Sequence, residues 1–353
     1  MSLDELRQQI DRIDEQIIQL LDQRASLAVQ IGNHKQGSNT AVYDAAREAQ
    51  ILRQLAQYDT SALPNVALAS IFREILAACR SIQQPLKVAY LGPQYTFTHM
   101  AALQQFGSST QLISSGSITE VFGAVQREQA DYGVVPIENS TGGVVAETLD
   151  CFLDSHLLIS AELYVPVHLC VAANCCLEEI TTLYSHPQPL AQSRKWLSEN
   201  LAEVRVENVA STAIAAQRAS EDPRGGAITT QLAAQSCELK ILAENVEDEP
   251  ANRTRFFVIG SHAAEPTGRD KTSILFTTAH RAGALYAALE PLATYDINMT
   301  FIQSRPARGR LWEYVFFVDF EGHQNQPRIQ QALDALTDRC PLLQVLGSYP
   351  AAE

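Results

Sequence analysis

Several features that mark common protein classes are missing from this sequence. Its seven cysteines are odd in number and form no C-x-x-C pair, so neither a disulfide framework nor a zinc site is predicted. Its eight histidines are scattered, with no H-E-x-x-H pattern. No uninterrupted apolar run reaches the about 18 residues of a membrane-spanning helix, and the N-terminal stretch is charged and amphipathic, unlike a signal peptide. We therefore expect a cytoplasmic protein without a bound metal or other cofactor.

Basic residues are also scarce. The 353 residues contain 26 Lys and Arg against 40 Asp and Glu, which gives a net charge of -14. Such a charge disfavours nucleic acid or an anionic membrane as a partner, so an anionic metabolite must be met by cations placed locally. Because the chain is long for a single core, we expect two or three domains.

An apolar seam predicts a long first helix. Ser2 and Glu5 have capping-box spacing, and apolar residues recur at helical spacing, namely at Leu3, Leu6, Ile10, Ile13, Ile17, Leu20, Leu27 and Ile31. Position 24 of this seam carries Arg24, a charge that is costly there unless it is paired. Lys35 follows about 20° further round the helix and roughly 16 Å along it, so the two side chains can reach toward a small molecule. Arg7 points about 100° to one side of Arg24.

Two further helices are predicted, from about residue 43 to 58 and from about residue 64 to 83. Asp44, Arg47 and Glu48 lie near the start of the second helix, and Cys79 lies on the third. On the residues alone, this region also suits a helical hairpin or a coiled-coil oligomerisation module in which Arg24 pairs with a glutamate.

The segments LRQQIDRIDEQIIQLLDQRASLAVQIGNHK and VYDAAREAQIL resemble the all-helical chorismate mutases over residues 3–84. In that family two chains intertwine and each pocket takes one arginine from the partner's long helix, so the resemblance implies a homodimer. Cys79 stands where these enzymes often have serine. The substrate-binding residues that the resemblance implies are the carboxylate ligands Arg7 (from the partner chain), Arg24 and Arg47, the ether-oxygen ligands Lys35 and Gln83, and the hydroxyl ligands Asp44 and Glu48.

The reaction implied by this resemblance suits such residues. Chorismate rearranges to prephenate in a unimolecular step, so the protein needs no nucleophile. It needs to hold one conformer and to aim hydrogen-bond donors at the breaking C–O bond.

A different pattern begins after Pro85. Apolar strands alternate with helices up to about residue 262, which predicts an α/β domain. Polar residues follow several strand ends, in the segments GPQYTFTH, ENST, SHPQPLAQ, STAIAAQ and NRTRF. Each segment alone suits a turn or a helix cap, but open α/β sheets bind their ligands at such strand ends.

Together the segments YLGPQYTFTHMAA, GVVPIENSTGGVVAETLD, SHPQPLAQ and NRTRFFVIG resemble the prephenate dehydratases. The resemblance implies two lobes, similar to periplasmic solute-binding proteins, with the site in the cleft between them. It implies that Thr254 assists departure of the ring hydroxyl, with Glu138 or a bound water as the proton source. The other substrate-binding residues that it implies are Asn139, Ser140, Thr141, Ser185, Gln192, Ser211, Thr212 and the carboxylate ligand Arg255.

The C-terminal segments follow the order strand, helix, strand, strand, helix and strand, from KTSILFTTA to LLQVLGSYP. This order predicts a ferredoxin-like βαββαβ plait, which on the residues alone also suits a structural cap or a dimerisation module. Gly-Ala-Leu and Ser-Arg-Pro within it resemble motifs of the ACT regulatory domains of prephenate dehydratases, although Gln303 stands where glutamate is usual. The resemblance implies a phenylalanine site between subunits at Gly283, Ala284, Leu285, Gln303, Ser304, Arg305 and Pro306.

The three resemblances predict a multidomain chain. They give an all-α mutase domain over residues 1–84, a two-lobed α/β dehydratase domain over 86–262 and an α+β ACT domain over 270–350. They imply a bifunctional enzyme of phenylalanine biosynthesis, with chorismate and prephenate as substrates and phenylalanine as a feedback inhibitor. The alternatives are a dehydratase that acts on arogenate and a non-enzymatic amino-acid sensor. Such a sensor should begin with a basic recognition helix, which the sequence lacks.

Overall fold

The structure is a computed structural model that describes residues 1–38, 42–307 and 314–352. It divides into two compact units, Met1–Lys87 with Leu103–Gln111 and Val88–Ala102 with Leu112–Glu353. One predicted strand, LWEYVFFVDFEG, begins at residues 311–313, which lie outside the described residues.

The described helices are α1 (Leu3–Ser38), α2 (Ala45–Leu55), α3 (Asn65–Gln83), α4 (Phe97–Phe106), α5 (Ile118–Gln126), α6 (Ala146–Phe152), α7 (Pro187–Gln192), α8 (Arg194–Asn200), α9 (Thr212–Glu221), α10 (Gln231–Ser236), α11 (Ala284–Thr294) and α12 (Pro327–Thr337). The described strands are β1 (Lys87–Leu91), β2 (Gln111–Ser115), β3 (Tyr132–Asn139), β4 (Gly143–Val144), β5 (Leu158–Pro166), β6 (Cys170–Ala173), β7 (Thr182–Ser185), β8 (Arg205–Asn208), β9 (Gly225–Thr229), β10 (Lys240–Glu244), β11 (Arg253–Gly260), β12 (Asp270–Thr277), β13 (Met299–Pro306), β14 (Tyr314–Glu321) and β15 (Leu342–Pro350). None of these helices is long and apolar enough to cross a membrane.

The first unit is built on α1, α2 and α3, which confirms the predicted all-α region. A reciprocal capping box begins α1, because Ser2 N donates to Glu5 Oε2 at 2.7 Å and Glu5 N donates to Ser2 Oγ at 3.2 Å. Asp44 caps α2 by accepting a hydrogen bond from Arg47 N at 2.9 Å.

The N-terminal half of α1 keeps its apolar seam exposed. Leu3, Ile10 and Leu20 are 63%, 57% and 63% exposed. The seam stays exposed further along the helix, because Leu27 and Ile31 are 59% and 52% exposed, whereas their neighbour Ala28 is buried. Within this unit, α2 and α3 therefore leave the N-terminal half of the seam uncovered.

Residues 103–111 complete the helical unit. The rings of Tyr43 and Phe106 lie 4.9 Å apart, and Gln105 Nε2 donates to the Tyr43 hydroxyl at 2.6 Å. Glu74 on α3 accepts hydrogen bonds from the backbone and the hydroxyl of Ser108. Residues 103–111 thus belong to the helical unit, although they follow Pro85, where the α/β pattern of the sequence begins.

Two sheets form the α/β part of the second unit. The first has strand order β2-β1-β3-β11-β5, with β4 paired to β3, and the second has order β10-β6-β9-β7-β8. β1 and β3 are parallel, whereas β11 runs antiparallel to both β3 and β5. The chain passes from β5 into the second sheet and returns from β10 into β11. These two crossings produce the two lobes that were predicted.

Several local features differ from the sequence-based expectations. β3 continues through Glu138 and Asn139, which were expected in a turn. The sequence predicts one helix from Leu190 to Asn200, but this segment is divided between α7 and α8, because Ser193 leaves helical geometry with φ -119° and ψ 21°. The strands β2, β4, β5, β8 and β10 were not predicted, and in β5 the burial of most residues hides the alternation by which a half-buried strand is recognised.

The C-terminal region is the predicted plait, with antiparallel strand order β13-β14-β12-β15. One face of its sheet, including Ile274 and Phe276, packs under α11 and α12. The opposite face, including Leu275 and Tyr349, joins the hydrophobic core of the first α/β sheet. Gly347 adopts φ +150°, and a Cβ at this position would lie 2.4 Å from Ile159 O, so only glycine permits this close approach of β15 to β5.

A buried charge network joins the plait to β11. Arg255 donates from Nη1 to Asp319 Oδ2 on β14 at 2.6 Å and from Nε to Glu162 Oε2 on β5 at 2.7 Å. Its Nη2 donates to the Tyr349 hydroxyl at 3.2 Å, and Lys271 Nζ lies 2.8 Å from Glu162 Oε1. Burial alone would lower the pKa of Arg255, but the surrounding Tyr349, Asp319 and Glu162 raise it above its ordinary value.

Replacing Arg255 by Met should destabilise the second unit strongly. The substitution leaves the buried carboxylate of Asp319 without this cation, and breaking a buried ion pair costs about 3–5 kcal/mol. Equilibrium denaturation followed by circular dichroism measures the loss. The matched control Arg328→Met removes an exposed arginine of the plait and should change the free energy of unfolding by less than about 1 kcal/mol. Equal effects of the two substitutions would contradict the prediction.

Candidate active sites

The helical unit contains a cavity of about 370 Å³. Its walls combine several cations, two carboxylates and one amide with apolar side chains. The lining residues are Arg24, Leu27, Ala28, Ile31, Lys35, Val42, Asp44, Arg47, Glu48, Ile51, Leu76, Cys79, Arg80 and Gln83. Most of the residues predicted for the mutase site therefore meet around one cavity.

Each helix contributes charged groups to this cavity. The exception in the apolar seam of α1, Arg24, donates from Nη1 to Cys79 Sγ at 2.7 Å. Lys35 Nζ, further along α1, donates to Val42 O at 3.1 Å. Asp44 caps α2, and Glu48 follows one helical turn later, so both carboxylates lie on the same side of that helix.

Gln83 lies where α1 and α3 approach closely. A Cβ at Gly32 would lie 3.0 Å from Gln83 Cγ, so the glycine makes room for this side chain. Gln83 Nε2 donates to Cys79 O at 3.2 Å, and its buried Oε1 has no hydrogen-bond partner in the described part of the chain. An amide at this position remains an uncharged donor at any pH.

Arg7 and Glu48 differ from the other predicted mutase residues in their surroundings. Arg7 lies outside the cavity, with a side chain 67% exposed and a distance of 3.7 Å from its Nη1 to Asp4 Oδ1. Glu48 lies at the cavity wall and forms an ion pair with Arg80. Burial raises the pKa of Glu48, and the charge of Arg80 offsets only part of this effect.

A second cavity, of about 240 Å³, lies in the α/β part of the second unit. Its walls come from strand ends and helix starts of both lobes. The lining residues are Leu91, Gly92, Thr96, Phe97, Thr98, Pro136, Asn139, Val145, Val167, His186, Gln188, Pro189, Gln192, Ala210, Ser211, Thr212, Thr254 and Phe256. This set contains no lysine, arginine or carboxylate.

Asn139 is the centre of the hydrogen bonds around this cavity. Its Nδ2 donates to Thr254 Oγ1 and to Asn252 Oδ1, both at 2.9 Å. Its Oδ1 accepts from Thr141 Oγ1 at 2.8 Å and from Gln192 Nε2 at 3.3 Å. One buried amide therefore fixes β11, the turn after β3 and the end of α7.

Helix starts supply further polar groups. Ser211 caps α9 by accepting a hydrogen bond from Ile214 N at 3.1 Å, and Thr212 begins that helix. Thr96 and Thr98 flank the start of α4. The first backbone N–H groups of a helix have no intrahelical acceptors and attract anions.

His186 is a titratable side chain of this cavity that was not predicted. Its Nδ1 accepts a hydrogen bond from Gln188 N at 3.2 Å, which assigns the proton of the neutral ring to Nε2. Burial lowers the pKa of His186, so the neutral ring is favoured. His186 directly follows the predicted Ser185 in the segment SHPQPLAQ. Its position in this segment was the sequence signal that could have identified it.

The structure does not bring all the predicted dehydratase residues to the cavity. On the paired strands β3 and β11, Asn139 lies opposite Thr254, and the neighbouring Glu138 lies opposite Arg255. Successive side chains of a strand point to opposite faces of the sheet. Arg255 accordingly binds the plait, as described above, so it is not a carboxylate ligand here. Glu138 is paired with Arg255 in this register and is not among the residues that line the cavity, so its role as the proton source for Thr254 stays a prediction.

Three hydroxyl residues also differ from expectation. Ser140 Oγ donates to Asn252 Oδ1 at 3.1 Å and accepts from Arg253 N, so it stabilises the turn. Thr141 contacts Gln192, and Ser185 is fully buried with its Oγ donating to His186 O. None of these three hydroxyl side chains is part of the cavity wall.

The predicted phenylalanine motifs occupy two ends of the plait. Gly283 caps α11 with φ +78°, directly before Ala284 and Leu285. Gln303, Ser304, Arg305 and Pro306 end β13.

Arg305 forms a bidentate ion pair in which two nitrogens of its guanidinium group bind the two oxygens of one carboxylate. It donates to Asp150 on α6 from Nε at 3.0 Å and from Nη2 at 2.8 Å. This arginine therefore ties the plait to the helix that follows β4.

Comparison with protein families finds three matching regions along the chain. Residues 6–84 match the family "Chorismate mutase type II", residues 88–264 match "Prephenate dehydratase" and residues 272–338 match "ACT domain". The fold and its two cavities thus define a helical mutase fused to a two-lobed dehydratase and a regulatory plait.

Full-length relatives have the same organisation. A bifunctional chorismate mutase/prephenate dehydratase of Aquifex aeolicus is 46% identical, over 99% of this chain and 98% of its own. One of Pseudomonas aeruginosa is 41% identical, over 98% of this chain and 97% of its own. A crystal structure of prephenate dehydratase from Arthrobacter aurescens in complex with L-Phe is 34% identical with a TM-score of 0.70, over 75% of this chain and 90% of that one.

The chain belongs to the bifunctional chorismate mutase/prephenate dehydratase family. It is an enzyme with two activities. It rearranges chorismate to prephenate and converts prephenate to phenylpyruvate, two steps of phenylalanine biosynthesis.

Proposed function

We propose that the cavity of the helical unit binds chorismate through the residues predicted from the sequence. The observation that carries this proposal is the meeting of Arg24, Lys35, Arg47 and Gln83 around one cavity. Chorismate is a dicarboxylate, and guanidinium groups bind carboxylates through charge-assisted hydrogen bonds. Arg24 and Arg47 bind these groups and so hold the reactive conformer.

Donors at the ether oxygen lower the barrier of the rearrangement. Negative charge develops on this oxygen as the C–O bond breaks, so Lys35 and Gln83 stabilise the transition state more than the ground state. Gln83 exchanges its hydrogen bond to Cys79 O for one to the substrate. Asp44 and Glu48 accept hydrogen bonds from the substrate hydroxyl at the other end.

We propose that a second copy of the chain completes this site. The exposed apolar seam on the N-terminal half of α1 offers a surface for another α1. Arg7 lies on this same half and outside the cavity of its own chain. In a dimer formed along the seam, the Arg7 side chain enters the cavity of the other chain.

Mixing two inactive variants tests the shared site. Arg7→Ala and Arg24→Ala should each abolish mutase activity and leave dehydratase activity intact. After subunit exchange, half of the dimers are mixed and each of these rebuilds one intact pocket, so we expect about one quarter of the wild-type mutase rate. No recovery, with exchange demonstrated by labelled chains, would argue against a site built from two chains.

We propose that the second cavity binds prephenate mainly through uncharged donors. Its walls contain amides, hydroxyls, His186 and the starts of α4 and α9, without a cationic side chain among the described residues. Helix starts and neutral donors hold the substrate carboxylates. The absence of carboxylates from the same walls favours prephenate over arogenate, whose ammonium group would have no anionic partner there.

The hydrogen bonds of Thr254 support its role at the leaving hydroxyl. Asn139 Nδ2 donates to Thr254 Oγ1, so the hydroxyl hydrogen of Thr254 points elsewhere and is available to the substrate. As the C–CO2 bond breaks, its electron pair enters the ring, which becomes aromatic, and the hydroxyl leaves with the C–O electron pair. Thr254 stabilises that oxygen, and a water molecule relays one proton from solvent to it, so the products are phenylpyruvate, CO2 and water.

Thr254→Val should remove most dehydratase turnover, because it keeps the side-chain shape and deletes the donor. A positioned proton-transfer group contributes about 100-fold to 10,000-fold. Thr254→Ser keeps the hydroxyl and should retain turnover within about tenfold of the wild type. The mutase rate of each variant is the control for folding of the chain. A Val variant within tenfold of the Ser variant would make Thr254 a structural residue.

We propose that phenylalanine binds the plait and inhibits the dehydratase. The related structure from Arthrobacter aurescens contains L-Phe, and Gly283 at the start of α11 combines a positive φ with open space around its Cα. Arg255 and Arg305 tie the plait to β11 and α6, so a change in the plait acts on elements beside the second cavity. Inhibition requires that phenylalanine binds one arrangement of these elements better than the other.

Calorimetry of the full chain with phenylalanine tests this proposal. We expect binding together with inhibition of the dehydratase but not of the mutase. Gly283→Val should abolish both effects, because a β-branched residue is strained at φ +78°. A point variant is preferable to truncation near residue 265, since the plait shares its core with the first sheet. Binding without inhibition, or neither, would contradict a regulatory role.

A cytoplasmic location stays a prediction from the sequence.

A further inference from the structure

Arg80 is a buried charge in the helical unit for which the sequence suggested no role. It lies on α3 between Cys79 and Gln83, with 5% of its surface exposed, and it lines the first cavity. A buried guanidinium group is costly unless its donors are satisfied. The contacts of the Arg80 side chain therefore indicate which groups it serves.

Arg80 bridges two elements. Its Nη1 donates to Glu48 Oε1 on α2 in a close ion pair, and its Nη2 donates to Phe106 O at 2.7 Å. Its Cζ lies 5.5 Å from the centre of the Tyr43 ring and 5.7 Å from that of Phe106. Two hydrogen bonds and two aromatic rings thus fix the guanidinium group, while its buried Nε has no hydrogen-bond partner in the described part of the chain.

Glu48 depends on this cation. Only 13% of its side chain is exposed, and such burial favours the protonated form of a carboxyl group. The charged groups that face it are Arg80 from α3, Asp44 from its own helix start and Lys35 from α1. Arg80 is in direct contact with Glu48, and its charge opposes the effects of burial and of Asp44 on the pKa of Glu48.

We propose that Arg80 is a positioning residue of the mutase site, which keeps Glu48 ionised and aimed at the substrate hydroxyl and fixes it to the backbone of Phe106. This inference rests on the proposed role of Glu48 as a hydrogen-bond acceptor. It also makes the mutase site depend on residues 103–111, which lie within the part of the chain that matches prephenate dehydratase. The mutase of this chain is therefore not built by residues 1–84 alone.

The pH dependence of mutase kcat/KM in the full-length chain tests the proposal. Activity that needs ionised Glu48 is present above the pKa of this group and is lost as the pH falls through it. Arg80→Met removes the charge but keeps a long apolar side chain, so the pKa of Glu48 rises and the acidic limb should move up by about 1–3 pH units. Arg80→Lys keeps the charge, and its acidic limb should stay near that of the wild type.

Two controls separate positioning from folding. Dehydratase turnover, measured on the same samples, reports whether the second unit is folded, and the helical signal in circular dichroism reports whether the helical unit is folded. Glu48→Gln has no carboxyl group to titrate, so its acidic limb should disappear. In this background Arg80→Lys should cost less mutase activity than it does in the wild-type chain, because the two residues act through one contact.

The outcomes are distinct. An acidic limb of Arg80→Met that coincides with the wild-type limb, in a chain with full dehydratase turnover, would overturn the proposal. If Arg80→Met does not fold, additive effects of Glu48→Gln and Arg80→Lys would overturn it instead. Full mutase activity of Glu48→Gln would refute the proposed role of Glu48 itself, which is a separate failure.

Discussion

An acidic chain that binds anionic substrates must supply compensating charge or dipoles inside its pockets, and this constraint governs both sites. The net charge is -14, so the protein surface as a whole does not attract a dicarboxylate. The helical cavity meets the constraint with buried or half-buried cations, including Arg24 and Arg80. The second cavity meets it with amides, hydroxyls and helix starts. Under the proposed function, two anionic substrates are thus bound in two different electrostatic environments.

The two faces of the first α/β sheet divide the tasks of recognition and regulation. Asn139 and Thr254 face the second cavity, whereas Arg255, next to Thr254 on β11, faces the plait. Neighbouring residues of one strand therefore contact the two faces, and this is the connection by which we propose that the plait acts on Thr254. The Arg305–Asp150 pair makes a second connection between the plait and the helix after β4.

The fold was largely predictable because its signals are local. The seam of α1 and its one charged position, Arg24, identified both a helix and a pocket. The placement of Glu138 and Arg255 could not be read from the sequence, because β3 continues beyond its expected end and pairs these two residues beside Asn139 and Thr254. Arg80 gave no signal at all, since its partners Glu48 and Phe106 are distant in sequence and meet only in the folded unit.

A crystal structure of the protein with prephenate or an unreactive analogue in the second cavity would show directly how this cavity binds anions. We expect the substrate carboxylates to contact backbone N–H groups at the starts of α4 and α9 and neutral side chains such as Gln192, with the ring hydroxyl beside Thr254. We expect no lysine or arginine within about 4 Å of either carboxylate, the separation at which an ion pair is defined. A carboxylate bound to a lysine or arginine side chain would contradict this expectation.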